Sequence, residues 1–309
     1  VGSSRPIIKN NTVTAEDEVM SNTLSILIVG HRGLLGQECM NRLRPLGRIS
    51  GVDIDTCDIT RPEQIEAVID SSRPDWVING AAYTDVDGCE SNRELAWAVN
   101  AGGAGNLARS CRSRGIGFVQ LSTDFVFDGR KGEPYLEDDV TAPLSVYGAS
   151  KLGGERAVRE AGGRHIIVRT AWLFGKGGKN FPDTILKAAQ STDPLRVVED
   201  QWGSPTYAPD LADAIGELIR KDARGIVHLT NRGSCSWFEY AVFILRAAGI
   251  KKEVIPVSTE ELPRPARRPR FSVLSLARYE GIVGKKMRPW QEAVKEYLLN
   301  WQNSGNIIT

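Results

Sequence analysis

The sequence predicts an α/β fold in which a doubly wound parallel sheet carries a smaller, interleaved C-terminal lobe. Three observations carry this expectation. Short β-rich runs alternate with helical stretches through the first half of the chain, the first apolar run leads straight into a glycine-spaced turn and a helix, and the alternation loosens beyond Gly175. Strands separated by helices of this length require parallel pairing through right-handed crossovers.

Taken in order, residues 1–23 are polar and aperiodic and read as a leader or disordered arm, outside the fold. The folded body starts near Leu24 with "LSILIVG" and a helix over 34–43, then "RISGVDI" and a helix over 62–71. "DWVINGAA" follows with a long helix over 91–114, "IGFVQLST" with a helix over 146–160, and then "HIIVRTAW". Beyond Gly175 come helical patterns over 181–190, 209–221, 237–248 and 289–301, with short strands "LRVV" and "GIVHLT". The expected division is therefore 24–175 as the sheet domain, with segments around 195–230 adding to it, and 176–309 as mainly the second lobe.

Composition narrows the function classes. The 309 residues are 41% hydrophobic, enough for one large domain with a lobe or two modest ones. Lys plus Arg (39) nearly cancels Asp plus Glu (38), so nothing draws the chain generally to nucleic acid or an anionic membrane. The five cysteines are odd in number and form neither a Cys-x-x-Cys nor a Cys/His metal spacing, which points to a reducing, cytoplasmic setting. The apolar runs are too short to cross a bilayer, and the N-terminus lacks a signal-peptide run.

The turn after the first strand reads Gly30-His-Arg-Gly33-Leu34-Leu35-Gly36. Glycines allow a tight turn and close backbone approach, and a helix N-terminus offers free N–H groups to a diphosphate, so a Rossmann-type cofactor cradle is expected here; the other reading is an ordinary strand-to-helix turn. Asp53 lies about twenty residues on, where a carboxylate would accept ribose hydroxyls and favour NADH over NADPH; its other reading is a turn residue. Asp58, Ile59, Ala81, Ala82 and Tyr83 fall on the same sheet edge.

A fourth strand ends in Ser122, Thr123 and Asp124, and Tyr147-Gly-Ala-Ser-Lys151 follows on a helix. Residues four apart share a helix face, so the phenol and ammonium can converge. A phenol with a pKa of about 10 is a weak acid. A lysine charge would lower that value and fit Tyr147 to give a proton to a carbonyl oxygen as hydride reaches its carbon. Lys151 would also hold a nicotinamide ribose, and Thr123 the substrate oxygen. By itself, a Tyr–Lys pair can merely decorate a helix. Trp172 can equally wall a pocket or pack in a core. Arg264, Arg267, Arg268 and Arg270, on a proline-stiffened loop, can clamp a diphosphate or stay solvated.

Together "GHRGLLG", "NGAAYTDVDGCE", "LSTDFVFDG", "YGASKLGGE", "RTAWLFG", "DQWGSPTY" and "RPARRPRFSVLSL" resemble the extended short-chain dehydrogenase/reductase superfamily and, within it, the dTDP-4-dehydrorhamnose reductase family. The resemblance spans roughly 24–301. It implies NADPH- or NADH-dependent reduction of the C4 keto group of dTDP-4-dehydro-L-rhamnose, a nucleotide-sugar substrate, to dTDP-L-rhamnose for cell-surface polysaccharide. It implies Tyr147 as proton donor, with Lys151 and Thr123 beside it. Gly33 to Leu35, Asp53, Asp58, Ile59, Ala81 to Tyr83 and Leu121 fall at its cofactor positions. Thr123, Asp124, Tyr147, Lys151 and Trp172 fall at its sugar-nucleotide positions, and the carboxyl-terminal segment becomes a substrate-binding lobe. The chain departs from the family pattern at Phe125, at Phe271 to Ser275 in the Arg/Pro loop, and at Leu34 or Leu35 where the family usually has Gln, which bears on the exact nucleotide sugar.

Relatives with the same Tyr-Lys motif serve as regulatory subunits of methionine adenosyltransferase, so a non-catalytic cofactor-binding role is the alternative, as is a reductase or epimerase of another nucleotide sugar. Mg²⁺ is possible but not indicated by the sequence: Glu292 and Glu296 on the last helix read as solvated surface, and no metal is assigned. A homodimer is left open.

Overall fold

The computed structural model describes residues 23–303; the expected arm lies outside the described residues except for Thr23. The main strands are β1 (Leu24–Val29), β2 (Gly47–Val52), β3 (Trp76–Asn79), β4 (Gly117–Thr123) and β5 (His165–Thr170). Shorter ones follow: β6 (Leu173–Phe174), β7 (Leu195–Val198), β8 (Trp202–Gly203), β9 (Thr206–Tyr207), β10 (Gly225–His228), β11 (Cys235–Ser236) and β12 (Val254–Val257). Six of them form one sheet in the order β10-β5-β4-β3-β1-β2, parallel throughout.

The helices are α1 (Leu34–Arg42), α2 (Pro62–Ser72), α3 (Gly88–Ser91), α4 (Arg93–Trp97), α5 (Ala104–Ser113), α6 (Val146–Ala161), α7 (Phe181–Ala188), α8 (Ala208–Arg220), α9 (Trp237–Ala247), α10 (Ala277–Val283) and α11 (Trp290–Asn303). The strand β1 is apolar on both faces, which is what two-sided cover requires. Ile26 and Ile28 pack with α1 and α8, while Leu27 and Val29 pack with α2 and α5. Strand order reverses direction at β1, so a crevice opens at the carboxyl ends of β1 and β3, where such sheets bind ligands.

Local chemistry sets the helix starts. Pro62 opens α2, where its missing N–H is no loss. The Ser145 hydroxyl accepts the Gly148 N–H at 3.2 Å and caps α6. Ser236 and Glu239 form a reciprocal capping box at α9.

The expected helix over 91–114 is more complex. Between α4 and α5 the ladder widens into a π turn over Ala98–Gly103. This turn buries Asn100, whose side chain accepts the Tyr83 N–H at 2.9 Å and donates to the Tyr83 carbonyl at 3.1 Å and the Ser150 hydroxyl at 3.0 Å. A π turn is one extra residue within an α ladder, and the apolar pattern over 91–114 is read above as a single helix without that shift of phase.

Gly225–His228 joins the main sheet beside β5, whereas Leu195–Val198 pairs in parallel with β12 in the second lobe. That lobe has its own core, built from α7, α9 and α11 with Phe174, Tyr207, Leu195 and Val197. All five cysteines are free and buried. Among the described residues no helix is long and apolar enough to cross a membrane.

Ile28 sits at the centre of the sheet with no exposed surface, while Val140 is 87% exposed on a loop. Ile28→Ala should lower stability by about 2–5 kcal/mol, and Val140→Ala by less than about 0.5 kcal/mol. Urea unfolding of the two variants compares them directly.

Candidate functional site

At the switch in strand order, β1 turns through Gly30, whose φ of +79° suits glycine. A Cβ there would lie 2.7 Å from the Ala81 backbone nitrogen, and one on Gly36 would lie 2.1 Å from the Gly30 carbonyl oxygen. Both positions must stay bare for the turn, β3 and α1 to pack. Gly33 precedes α1 without any side-chain cap, and no acidic residue occupies the first turn. The leading N–H groups of Leu34 and Leu35 therefore start a helix whose positive end has no internal anion, which fits a diphosphate.

The rest of this edge is mostly engaged in turns. Asp53 follows β2 and accepts the backbone N–H groups of Arg32 and Ile54, each at 2.9 Å. Asp58 accepts the Thr60 N–H at 2.9 Å and its hydroxyl at 2.7 Å; the two bonds hold its carboxyl below the usual range. Ile59 is buried, and its carbonyl accepts from Asn106 at 3.1 Å. The Ala81 N–H reaches Asn79 at 3.1 Å. Ala82 and Tyr83 continue the same connection from β3.

Thr123 ends β4, and α6 crosses above it. The Thr123 hydroxyl donates to Asp124 at 3.0 Å while its oxygen accepts the Phe125 N–H at 3.2 Å. Asp124 is 2% exposed, and burial pushes its carboxyl up to about 6 despite hydrogen bonds from Ser272 and Thr123. The partly buried Tyr147 ring meets Phe125 edge-on, centroids 5.9 Å apart, and packs near Cys89 and Tyr83. Burial drives its phenol well above the ordinary value, the Asp124 charge adds to this, and Thr123 opposes it.

Lys151 lies one turn further along α6 and donates to the Leu121 carbonyl at 2.7 Å. Burial lowers its ammonium to about 8, with Glu155 acting in the opposite direction. The expected lowering of the phenol by Lys151 is thus not found: the ammonium is turned to the strand, and burial keeps the phenol protonated. A neutral phenol still has a proton to give.

One turn beyond Lys151, Glu155 is wholly buried. It accepts the Ser122 hydroxyl at 2.5 Å and both Nε and Nη2 of Arg169 at 2.8 Å. Arg169 stands opposite Ser122 in the β4–β5 register and also donates to the Glu137 carbonyl at 3.1 Å. The fork thus ties α6, β4 and β5 at the level of Thr123. A bidentate guanidinium–carboxylate pair supplies geometry that a lysine would not.

The Arg/Pro loop reaches this edge through other contacts. Ser272 donates to the second Asp124 oxygen, and the Trp202 N–H binds the Arg270 carbonyl at 2.7 Å. Arg268 makes a fork with Asp87 at 3.1 and 3.0 Å, and Arg264 approaches the same carboxylate at 3.2 Å. Arg267 is exposed, and Arg270 pairs with Glu260 at 3.0 Å. Trp172, at φ +46°, stacks on Trp237 with centroids 3.5 Å apart and lies against Gly203. It thus packs on the second lobe's core. Glu296 is held by Arg288 at 2.6 Å, and no group of three or more His, Cys, Asp or Glu among the described residues is placed to hold a metal ion.

A parallel sheet with a glycine cradle at its switch and a Tyr–Lys helix over a Ser–Thr strand end defines the short-chain dehydrogenase/reductase class. The family described as the RmlD substrate binding domain matches residues 24–303. The chain is 38% identical over 288 residues to the dTDP-4-dehydrorhamnose reductase of Burkholderia thailandensis, covering 88% of this chain and 97% of that one. It is 39% identical over 274 residues to the spore coat polysaccharide biosynthesis protein SpsK of Bacillus subtilis, covering 88% and 96%. The crystal structure of the Bacillus anthracis dTDP-4-dehydrorhamnose reductase in complex with NADP superposes with a TM-score of 0.88 at 39% identity, over 90% of this chain and 99% of that one. This chain belongs to the dTDP-4-dehydrorhamnose reductase family.

Glu155, Arg169, Asn100, Asp87 and Ser272 were not singled out by sequence reasoning. Only Glu155 carried a local signal, the i, i+4 spacing after Lys151. Glu155→Gln leaves Arg169 an unpaired buried cation and removes the charge that supports the Lys151 ammonium. It should cost about 3–5 kcal/mol of stability in thermal or denaturant unfolding. Glu155→Asp should retain part of that stability.

Proposed function

We propose that this chain reduces the C4 keto group of dTDP-4-dehydro-L-rhamnose to dTDP-L-rhamnose, using NADPH or NADH. The observation that carries this reading is the meeting of Tyr147, Lys151 and Thr123 at the sheet edge beside the glycine cradle, in a chain similar over nearly its whole described length to named reductases.

The Gly30–Gly36 turn with the start of α1 receives the diphosphate, and Asp53 the adenosine ribose. Asp58, Ile59, Ala81, Ala82, Tyr83 and Leu121 line the same edge. When bound, the reduced nicotinamide supplies the hydride. Tyr147, kept neutral by burial, gives its proton to the C4 oxygen as negative charge develops there. The Thr123 hydroxyl, oriented by Asp124 and the Phe125 N–H, steadies that oxygen. Lys151, held on the Leu121 carbonyl, can turn from it to the nicotinamide ribose hydroxyls and bring its charge to the cofactor. Arg264, Arg267 and Arg268 meet the substrate diphosphate, Arg268 and Arg264 by exchanging Asp87 for phosphate oxygens. The five free cysteines suit a reducing compartment, and we place the reaction in the cytoplasm.

Mixing the protein with NADPH or NADH and dTDP-4-dehydro-L-rhamnose generated in situ should oxidise one cofactor per dTDP-L-rhamnose formed. No oxidation with either cofactor would overturn the assignment. Tyr147→Phe should bind cofactor normally yet lower kcat about 100-fold or more; unchanged turnover would remove Tyr147 from the chemistry. The Lys151 ammonium, brought down to about 8, is charged below that pH and neutral above it. kcat/KM should accordingly fall as pH rises through about 8, and a profile level across that window would contradict the role of the charge.

A further inference from the structure

The cofactor cradle contains an ion pair that the reduction itself does not use. Arg32, inside the glycine turn, has its backbone held at both ends: its N–H donates to Asp53 at 2.9 Å, and its carbonyl accepts from Gln37 at 2.7 Å. Its guanidinium is free of these restraints. It reaches past Asp53 to the Asp55 carboxylate at 2.6 Å, with the two side chains 60% and 48% exposed. This bond is the leading reason that the Asp55 carboxyl lies below its usual range.

The position is the one where the adenosine ribose rests at the end of the second strand. Two chemistries compete there. Asp53 is an acceptor suited to a ribose hydroxyl, and it repels a 2′-phosphate. Arg32 presents a planar fork suited to a phosphate, yet Asp55 already engages one arm of it, Nη2. Arg32, Asp53 and Asp55 together carry one net negative charge, which favours the hydroxyl. A 2′-phosphate meets the whole fork when Arg32 exchanges one anion for the other, and its backbone anchors let the side chain swing without unfolding the turn.

We infer that Asp55 is a specificity-determining residue for the cofactor: it competes with the ribose 2′-phosphate for the Arg32 guanidinium, so the ion pair stays intact with NADH and is broken by NADPH. This rests on the cofactor-binding reading above. The chain then accepts both cofactors, with affinity for NADPH held below what Arg32 alone would give.

The test is direct binding, read by isothermal titration or nicotinamide fluorescence, of NADPH and NADH to the wild-type chain, Asp55→Asn, Asp55→Glu and Arg32→Ala. Thermal unfolding of each variant checks the fold. Exposed ion pairs are weak, so Asp55→Asn should tighten NADPH by about 2- to 5-fold while leaving NADH within about 2-fold. Asp55→Glu, which keeps the anion, should stay close to the wild-type ratio. Arg32→Ala should weaken NADPH about tenfold or more and NADH little. If Asp55→Asn leaves the NADPH/NADH ratio unchanged, or Arg32→Ala weakens both cofactors equally, the competition is refuted while cofactor binding stands. If neither nucleotide binds the wild-type chain, both readings fall.

Discussion

The Glu155 carboxylate lies where water does not reach it and answers three donors, one from β4 and two from β5. Everything at the reacting end is registered to that point. Tyr147 and Lys151 ride on the helix that carries Glu155, and Thr123 and Asp124 follow the serine that binds it. Apolar packing of α6 on the sheet resists separation but tolerates sliding, because it has no preferred direction. The fork of Arg169 does not tolerate sliding. A buried ion pair of this kind contributes little net stability over well-packed apolar side chains; what it contributes here is the alignment of a helix with a strand end.

The same strand end also anchors the second lobe. One Asp124 oxygen receives Thr123 and the other receives Ser272, so a single carboxylate stands between the Thr123 hydroxyl and the Arg/Pro loop. Arg268 ties that loop to Asp87 on the connection following β3. The loop thus spans from the connection after β3 to the end of β4, with Arg264, Arg268 and Arg270 each held against a carboxylate. Arg32 and Asp55 repeat the arrangement at the other end of the crevice. In both places the cation lies against a carboxylate that compensates its charge.

Much of this was legible in the sequence, for local reasons. Two-sided apolar runs mark parallel strands, and a strand leading into spaced glycines and a helix marks the cradle. The four-residue spacing of Tyr147 and Lys151 places them on one face. Illegible were contacts between residues far apart in the chain. Arg169 reads as an ordinary residue of "HIIVRTAW" until Glu155 is folded over it, and Asp87 stands 181 positions from the arginine it binds. The stacking of Trp172 on Trp237 joins two lobes of the sequence in the same way. Spacing also says which face a side chain occupies but not what it grasps, so the Lys151 bond to the Leu121 carbonyl, and the raised Tyr147 phenol, needed coordinates.

The π turn over Ala98–Gly103 inserts one residue into an otherwise continuous helix. Each helical residue advances the rotation by about 100°, so the turn acts as a phase shift. Ahead of it Leu95 and Trp97 are half exposed, and behind it Ala104, Leu107 and Ala108 enter the core. A single-residue deletion in this turn would restore an unbroken ladder and rotate one half against the other. Asn100 would then leave Tyr83 and Ser150, detaching the connection after β3 from α6. The length of one helix, counted to the residue, is therefore part of how the two halves of the crevice are kept in step.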